Sequence, residues 1–354
     1  MKVLTVVGAR PQFIKAAPVS KALWEAGHHE YLVHTGQHYD YGMSQVFFDE
    51  LGIPEPDANL AVGSGPHGWQ TARMLEGIER RLLEERPDWV LVYGDTNSTL
   101  AGALAACKLH VPLGHIEAGL RSFNREMPEE HNRVLTDHCS DLLFCPTQTA
   151  VANLSREGIS VGVHLVGDTM YDAVLQFAEV ARRRSTILED LGLAPKGYLL
   201  ATVHRPLNTD NPVNLRSILS ALEEIDEPVV FPVHPRTRQR IAELGDDVRA
   251  SARHHVRMIE PLGYLDMLSL EQQARLILTD SGGMQKEAYF FGIPCITLRA
   301  ETEWVETVDA GWNVLVGANK DEIVRCARVD TPPGSPPAAF GSGRASQEIV
   351  HELS

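Results

Sequence analysis

Arg10, Gln37-His38, Asp95 and Glu117 each follow a short apolar run in the first half of the chain, and His204-Arg205, His234 and Ser281 do so in the second. These residue types supply cations for an anionic ligand, carboxylates for proton transfer and imidazoles for either task. The most informative stretch is Leu276-Ile277-Leu278-Thr279-Asp280-Ser281-Gly282-Gly283-Met284-Gln285-Lys286-Glu287-Ala288. An apolar run of strand length enters a Ser-Gly-Gly turn, and a helical pattern follows to about Gly292. The first N–H groups of a helix lack intrahelical acceptors and lie at the positive end of its dipole, so they suit a phosphate or diphosphate. Glycine lets the ligand approach the backbone, and Ser281 adds a hydroxyl. Glu287 lies one turn past Gly283, where it could accept hydrogen bonds from two adjacent sugar hydroxyls. Diphosphate plus vicinal diol describes a nucleotide-sugar. The plain alternative is a glycine-tightened strand-to-helix turn with no ligand.

The other residues also have simpler readings. Asp95 could cap the helix that follows it. Glu129 and Glu130 follow Pro128 in a helix's first turn, where carboxylates offset the dipole. Glu129 and Arg133 have the spacing of an ordinary surface pair. Lys15 could be a solvated helix residue, and His204 and His234 could be core histidines with satisfied rings. The argument for chemistry is recurrence at successive strand ends, where ligands sit in parallel α/β sheets. If two such domains face a cleft, one can hold a nucleotide while the other presents acid and base groups.

The elements that must position these residues alternate strand, turn and helix. Residues 3–7 read as a buried strand and 8–10 as a turn, and Pro11 suits the first position of a helix to about residue 26. Strands follow over 31–34, 89–93, 112–116 and 142–145, with helices over 67–85, 97–109 and from 128. The alternation restarts after Gly197, with strands over 198–203, 228–232, 257–260, 275–279 and 294–298. This pattern predicts parallel sheets covered by helices on both faces. The expected architecture is α/β, with two Rossmann-like doubly wound domains. The first spans 1–170 and carries the acid/base groups, with 345–354 crossing back onto it as a short helix. The second spans 171–344 and binds the nucleotide, and its segment 330–342, rich in Pro, Gly and Ser, reads as a connector.

A length of 354 residues is too great for one compact core and suits two domains. The net charge of −15, from 32 basic and 47 acidic residues, argues against a nucleic-acid partner but leaves room for a small anionic ligand. Five scattered cysteines without a CxxC fit reduced thiols of a cytoplasmic protein. The N-terminal apolar run is too short for a signal peptide, and no stretch approaches the roughly 18 apolar residues of a membrane span. A soluble cytoplasmic protein without a membrane partner is expected. Gly8 is followed by Ala9-Arg10-Pro11-Gln12-Phe13, so the GxGxxG of a nicotinamide site is missing, and Walker A, HExxH, zinc and GxSxG spacings are missing too.

Taken in order, several segments resemble the non-hydrolysing UDP-N-acetylglucosamine 2-epimerase family. They are Gly8-Ala9-Arg10-Pro11, Ile14-Lys15, Thr35-Gly36-Gln37-His38, Gly94-Asp95-Thr96, His115-Ile116-Glu117-Ala118-Gly119-Leu120-Arg121, Pro128-Glu129-Glu130, Asn132-Arg133, His204-Arg205, Pro232-Val233-His234 and Thr279-Asp280-Ser281-Gly282-Gly283. The resemblance implies two domains facing a cleft in the GT-B arrangement, a homodimer, and no metal or nicotinamide cofactor. It implies interconversion of UDP-GlcNAc and UDP-ManNAc by loss of UDP from C1 and of the C2 proton, through a 2-acetamidoglucal, followed by re-addition. On matching positions it assigns Asp95, Glu117 and Glu129 to acid/base work and His204 to departure of UDP. Arg10, Lys15, Gln37, His38, Arg133, Arg205, His234, Tyr264, Ser281, Gly282, Gly283 and Glu287 fall to substrate binding.

The chain departs from the family pattern in places. Ala9 and Gln12 stand where the family often has Thr and Glu, and Pro206-Leu207-Asn208 lacks the carboxylate that usually follows His-Arg. Thr302-Glu303-Trp304-Val305-Glu306 replaces a common Thr-Glu-Arg-Pro-Glu. These spellings are closer to a sister branch acting on a UDP-2,3-diacetamido-2,3-dideoxy-glucuronate. Tyr39 and Asp40 follow His38 where regulated bacterial members carry other polar groups, which implies weak or absent activation by a second substrate molecule. A retaining GT-B glycosyltransferase and a catalytically silent nucleotide-sugar sensor are the competing classes. Both leave the three carboxylates without a purpose.

Overall fold

The computed structural model describes residues 1–37, 52, 55–245, 255–328, 332 and 334–354, and the chain divides into two compact units. One comprises Met1–Gln176 with Ala338–Ser354, the other Phe177–Pro337. The first holds a seven-stranded sheet of β1 (Lys2–Val7), β2 (His29–His34), β3 (Ala58–Asn59), β4 (Trp89–Tyr93), β5 (Leu113–Ile116), β6 (Leu142–Cys145) and β7 (Val163–Leu165). The second holds a six-stranded sheet of β8 (Leu199–Thr202), β9 (Val229–Pro232), β10 (Val256–Ile259), β11 (Leu276–Thr279), β12 (Cys295–Thr297) and β13 (Asn313–Leu315). Every pairing is parallel. The expected pair of doubly wound α/β sheets is found.

The strands form because their apolar runs are buried on both sheet faces. Val3, Leu4, Val6 and Val7 lie fully inside the first unit, and Leu199, Leu200, Ala201, Ile277 and Leu278 are likewise fully buried in the second. Burying a Val or Leu side chain stabilises by about 1.5–3 kcal/mol, so the central strands dominate each core. The helix Asn97–Leu109 approaches its sheet through alanines and Gly102, where a Cβ would stand 2.9 Å from Val92. The edge strands β3, β7 and β13 have only two or three residues, too few to show periodicity in the sequence. The terminal helix Ala345–Leu353 packs beside the helix Arg10–Glu25, with Asp172 accepting hydrogen bonds from the N–H groups of Ala345 and Ser346.

Strand order decides where polar strand-end residues gather. In the first sheet the order β3-β2-β1-β4-β5-β6-β7 reverses direction between β1 and β4. In the second, β10-β9-β8-β11-β12-β13 reverses between β8 and β11. Helices cross to opposite faces at such a point, which leaves a crevice beyond the carboxyl ends of the two strands.

Candidate active-site residues of the two units

In the first unit the loops leaving β1 and β4 carry Gly8-Ala9-Arg10 and Gly94-Asp95, and β5 ends beside them at Glu117. Arg10 opens the helix Arg10–Glu25 and is half-buried. Its turn is secured by Gln12, whose carboxamide oxygen accepts from the N–H groups of Gly8 (2.9 Å) and Ala9 (3.0 Å). The Gln12 amide donates to the Tyr93 carbonyl at 2.8 Å and to Thr99 Oγ1 at 3.0 Å, so this departure from the family spelling ties β1 to the end of β4.

Glu117 is buried in a left-handed backbone conformation, φ 72°. For a residue other than glycine that costs about 1–2 kcal/mol. The N–H groups of Glu117 and Ala118 both donate to the Phe144 carbonyl at 3.1 Å, which secures the turn. The Glu117 carboxylate pairs with Lys15 Nζ, and Lys15 is itself buried, so it is no solvated helix residue. A Cβ at Gly94 would lie 3.1 Å from Glu117 Oε2 and 3.5 Å from Lys15 Nζ, and Gly94 has φ 64°. Glycine there lets the ion pair lie against the backbone just before Asp95.

Asp95 remains about one-third exposed and pairs with Arg133. It is not the helix cap, because Thr96 accepts from the Thr99 N–H at 3.3 Å in that role. Arg133 also reaches Glu130 at 2.8 Å, and Asn132 donates to the Asp95 carbonyl at 2.9 Å. The helix Pro128–Cys139 is thereby fastened to the end of β4. Glu129 lies half-buried in its first turn. Glu130, the next residue, accepts from the Ser122 N–H, the Ser122 hydroxyl and the Phe123 N–H, each at 2.9 Å. Burial pushes the Glu130 carboxyl up, but these hydrogen bonds and the Arg133 charge outweigh it and hold the group below the usual glutamate range. Gln37 accepts from Ser98 N–H (3.0 Å) and Oγ (2.7 Å) at the start of the helix Asn97–Leu109. His38 lies outside the described residues, as do Tyr39 and Asp40.

In the second unit β8 runs into His204-Arg205 and β11 into Asp280-Ser281. Asp280 is fully buried and joins the two loops. It accepts from the N–H groups of His204 and Arg205 and from the Asn208 amide, each at 3.0 Å, and lies 3.3 Å from His204 Nδ1. The surrounding protein lowers the His204 pKa below the ordinary histidine value, helped by Arg205 and His234 and opposed by Asp280. The ring keeps 45% of its surface open, which limits how far it is desolvated. Arg205 is half-buried at the start of the helix Pro206–Thr209. His234, at the end of the neighbouring β9, is exposed and caps the helix Pro235–Glu243, accepting from the Arg236 N–H at 3.3 Å. Neither histidine is a core residue.

Ser281 caps the helix Gly282–Phe291, and the first-turn N–H groups of Gly282 and Gly283 have no intrahelical acceptor. A Cβ at Gly282 would stand 3.3 Å from the Trp304 indole nitrogen and 3.8 Å from Glu303 Oε2. The 302–306 segment therefore lies against this turn. Trp304 stacks on the buried Lys286 ammonium, 3.8 Å from the ring centroid, and Glu303 pairs with the buried Arg299 at 3.1 Å. Glu287 is buried and accepts from the Tyr264 hydroxyl at 3.1 Å, so Tyr264 orients that carboxylate.

Each unit thus assembles its own polar group at its own switch point. In the first, Lys15 pairs with Glu117, Arg133 with Asp95, and Gln37 holds Ser98; in the second, Asp280 ties His204 to the turn at Ser281 and Gly282, and Tyr264 holds Glu287. Gln12, Asp280 and Lys286 were not marked as site residues by sequence. Asp280 had a signal: a carboxylate beside a turn suited to an anion is a poor ligand for that anion, so it must serve another group.

A family model described as UDP-N-acetylglucosamine 2-epimerase matches residues 21–354. The chain is 54% identical over 363 residues to the UDP-2,3-diacetamido-2,3-dideoxy-D-glucuronate 2-epimerase of Pseudomonas aeruginosa, covering 100% of this chain and 99% of that protein. It is 53% identical over 355 residues to a UDP-N-acetylglucosamine 2-epimerase homolog of Methanococcus maripaludis, with the same coverage. The crystal structure of Methanocaldococcus jannaschii UDP-GlcNAc 2-epimerase in complex with UDP-GlcNAc and UDP superposes with a TM-score of 0.92 at 44% identity, covering 100% of this chain and 99% of that one. With similarity extending over the whole chain, the protein belongs to the UDP-N-acetylglucosamine 2-epimerase family of isomerases.

Proposed function

We propose that this protein interconverts UDP-GlcNAc and UDP-ManNAc without hydrolysing the nucleotide. The observation that carries the reading is the Ser281-Gly282-Gly283 turn at a switch point with Glu287 one helical turn on, in a chain 44% identical to an epimerase solved with UDP-GlcNAc and UDP. In this reading the turn, Arg10, His204 and His234 take up the charge of the departing diphosphate. Arg205, Gln37, His38 and Tyr264 complete the substrate contacts. The C2 proton is not next to a carbonyl, so its removal is coupled to loss of UDP from C1. Asp95, Glu117 and Glu129 then remove and return that proton on opposite faces of the 2-acetamidoglucal, with Lys15 and Arg133 positioning them. On the strength of the resemblance, the reading also takes the enzyme to be a cytoplasmic homodimer that needs neither metal nor nicotinamide. Among the described residues no helix is long and apolar enough to cross a membrane.

A second substrate has its own support. The 54% identity to the Pseudomonas aeruginosa enzyme, together with the Thr302-Glu303-Trp304-Val305-Glu306 spelling, favours a UDP-2,3-diacetamido-glucuronate. Incubating the protein with each UDP-sugar alone and following the anomeric protons by NMR separates the two. UDP-ManNAc appearing from UDP-GlcNAc supports the first reading, and turnover of the uronate alone supports the second. Failure to epimerise either without an acceptor sinks both and favours a transferase or a sensor.

Glu287→Ala is expected to weaken UDP binding by about 1–3 kcal/mol, the scale for losing a charged hydrogen-bond partner. Titration calorimetry with UDP measures it, and unchanged affinity would remove Glu287 from the nucleotide site.

A further inference from the structure

His115 is the penultimate residue of β5, two residues before Glu117, and is fully buried. Its Nε2 is 2.8 Å from the carbonyl of Gly94, the residue before Asp95. Its Nδ1 is 2.7 Å from Asp137 Oδ1. Asp137, on the helix Pro128–Cys139, also accepts from the Gly119 N–H at 3.2 Å and from Arg121 Nη1 at 2.7 Å. Burial pushes its carboxyl up, but the bonds and charges from His115 and Arg121 outweigh that and hold it below the ordinary aspartate value. A carbonyl oxygen can only accept, and an ionised carboxylate with two other donors on it also only accepts. The partners therefore assign a proton to each ring nitrogen. Arg121 is closed off in turn by Glu157, with two contacts of 2.7 Å.

We propose that His115 and Asp137 are positioning residues that set the placement of Asp95 relative to Glu117. One end of the relay grips the peptide entering Asp95. The other grips Gly119, two residues beyond Glu117, and helps hold Glu117 at its left-handed φ of 72°. Gly119 can only be glycine there: its φ is 78°, and a Cβ would stand 2.5 Å from the Ala150 carbonyl oxygen. A strained residue persists where bonds on both sides over-determine it. The Phe144 carbonyl acts on one side of Glu117 and Asp137 on the other. The inference rests on the reading of Asp95 and Glu117 as acid/base groups.

The test uses His115→Gln and Asp137→Asn in the full-length protein. Gln offers one donor and faces the second acceptor with an oxygen, and Asn turns an amide toward donors at Gly119 and Arg121. Each variant is expected to lower kcat by about tenfold to a hundredfold, the scale of a misplacement near 1 Å, with UDP affinity unchanged. Each is also expected to release more free 2-acetamidoglucal and UDP per epimer formed, because the intermediate is protonated less efficiently. A variant that has merely lost folded molecules lowers every rate equally and leaves that ratio alone. Should both variants fold poorly, nitrogen-15 NMR of the wild-type protein decides, since the partners of both His115 ring nitrogens call for a slowly exchanging proton on each. A singly protonated ring, or variants with a wild-type ratio, overturns the relay. Full activity of Asp95→Asn and Glu117→Gln would instead overturn the acid/base reading, and the ring-nitrogen signals would still report on the relay.

Discussion

Asp95→Asn, Glu117→Gln and Glu129→Gln are each expected to lower turnover on the order of 10²-fold or more, the usual scale for a positioned acid or base. Substrate binding should suffer less, because these groups act in the transition state. The three are not equivalent in the structure. Glu117 is buried against Lys15, so Glu117→Gln leaves a buried cation without its carboxylate and should also reduce stability. Asp95 is one-third exposed, and the buried Arg133 keeps Glu130 at 2.8 Å, so replacing Asp95 should cost less stability than replacing Glu117. Glu129 lies half-buried in a helix's first turn, where its charge offsets the helix dipole. Turnover in heavy water separates the mechanism from its rivals. Elimination and re-addition place deuterium at C2 of the product. Retention of the original C2 hydrogen would point to a hydride or carbon-shuffling route and strip the carboxylates of their assigned role.

Asp280→Ala is expected to have the second large effect, on both folding and nucleotide binding. Asp280 has no exposed surface, and its removal leaves the N–H groups of His204 and Arg205 and the Asn208 amide without their acceptor. Each unsatisfied buried donor costs about 1–3 kcal/mol, so the loss should reach roughly 3 kcal/mol even allowing for relaxation. Because the carboxylate ties the loop after β8 to the loop after β11, UDP affinity should fall with it. Asp280→Asn keeps one acceptor oxygen and should be milder on both counts. Urea unfolding and UDP calorimetry measure the two effects. An alanine variant within about 1 kcal/mol of wild type in stability and UDP affinity would remove Asp280 from the centre of this site.

Much of this protein is determined locally and is therefore legible in its sequence. Buried parallel strands need near-continuous apolar runs, and strand-to-helix turns need glycine or proline. The central strands accordingly stand within one or two residues of where composition puts them, as with 89–93 against Trp89–Tyr93 and 275–279 against Leu276–Thr279. The Ser281-Gly282-Gly283 turn is legible for the same reason, because capping and a close approach to backbone are local requirements. What the chain cannot show linearly is which strands become neighbours. That order creates the two switch points and sets Asp95 and Glu117 just beyond the ends of adjacent strands. Burial then decides charge partners that residue type leaves open. Lys15 is drawn 102 positions along the chain to Glu117, and Arg133 bridges Asp95 and Glu130. Asp280 becomes an internal anchor beside a turn suited to anions. The edge strands β3, β7 and β13 escape sequence reading because two or three residues carry no period, whereas the four-residue edge strand β10 is legible. The 302–306 segment reads as a mere difference of spelling until packing lays Trp304 on Lys286 beside Gly282, because a cation over an indole ring is a contact of tertiary structure alone.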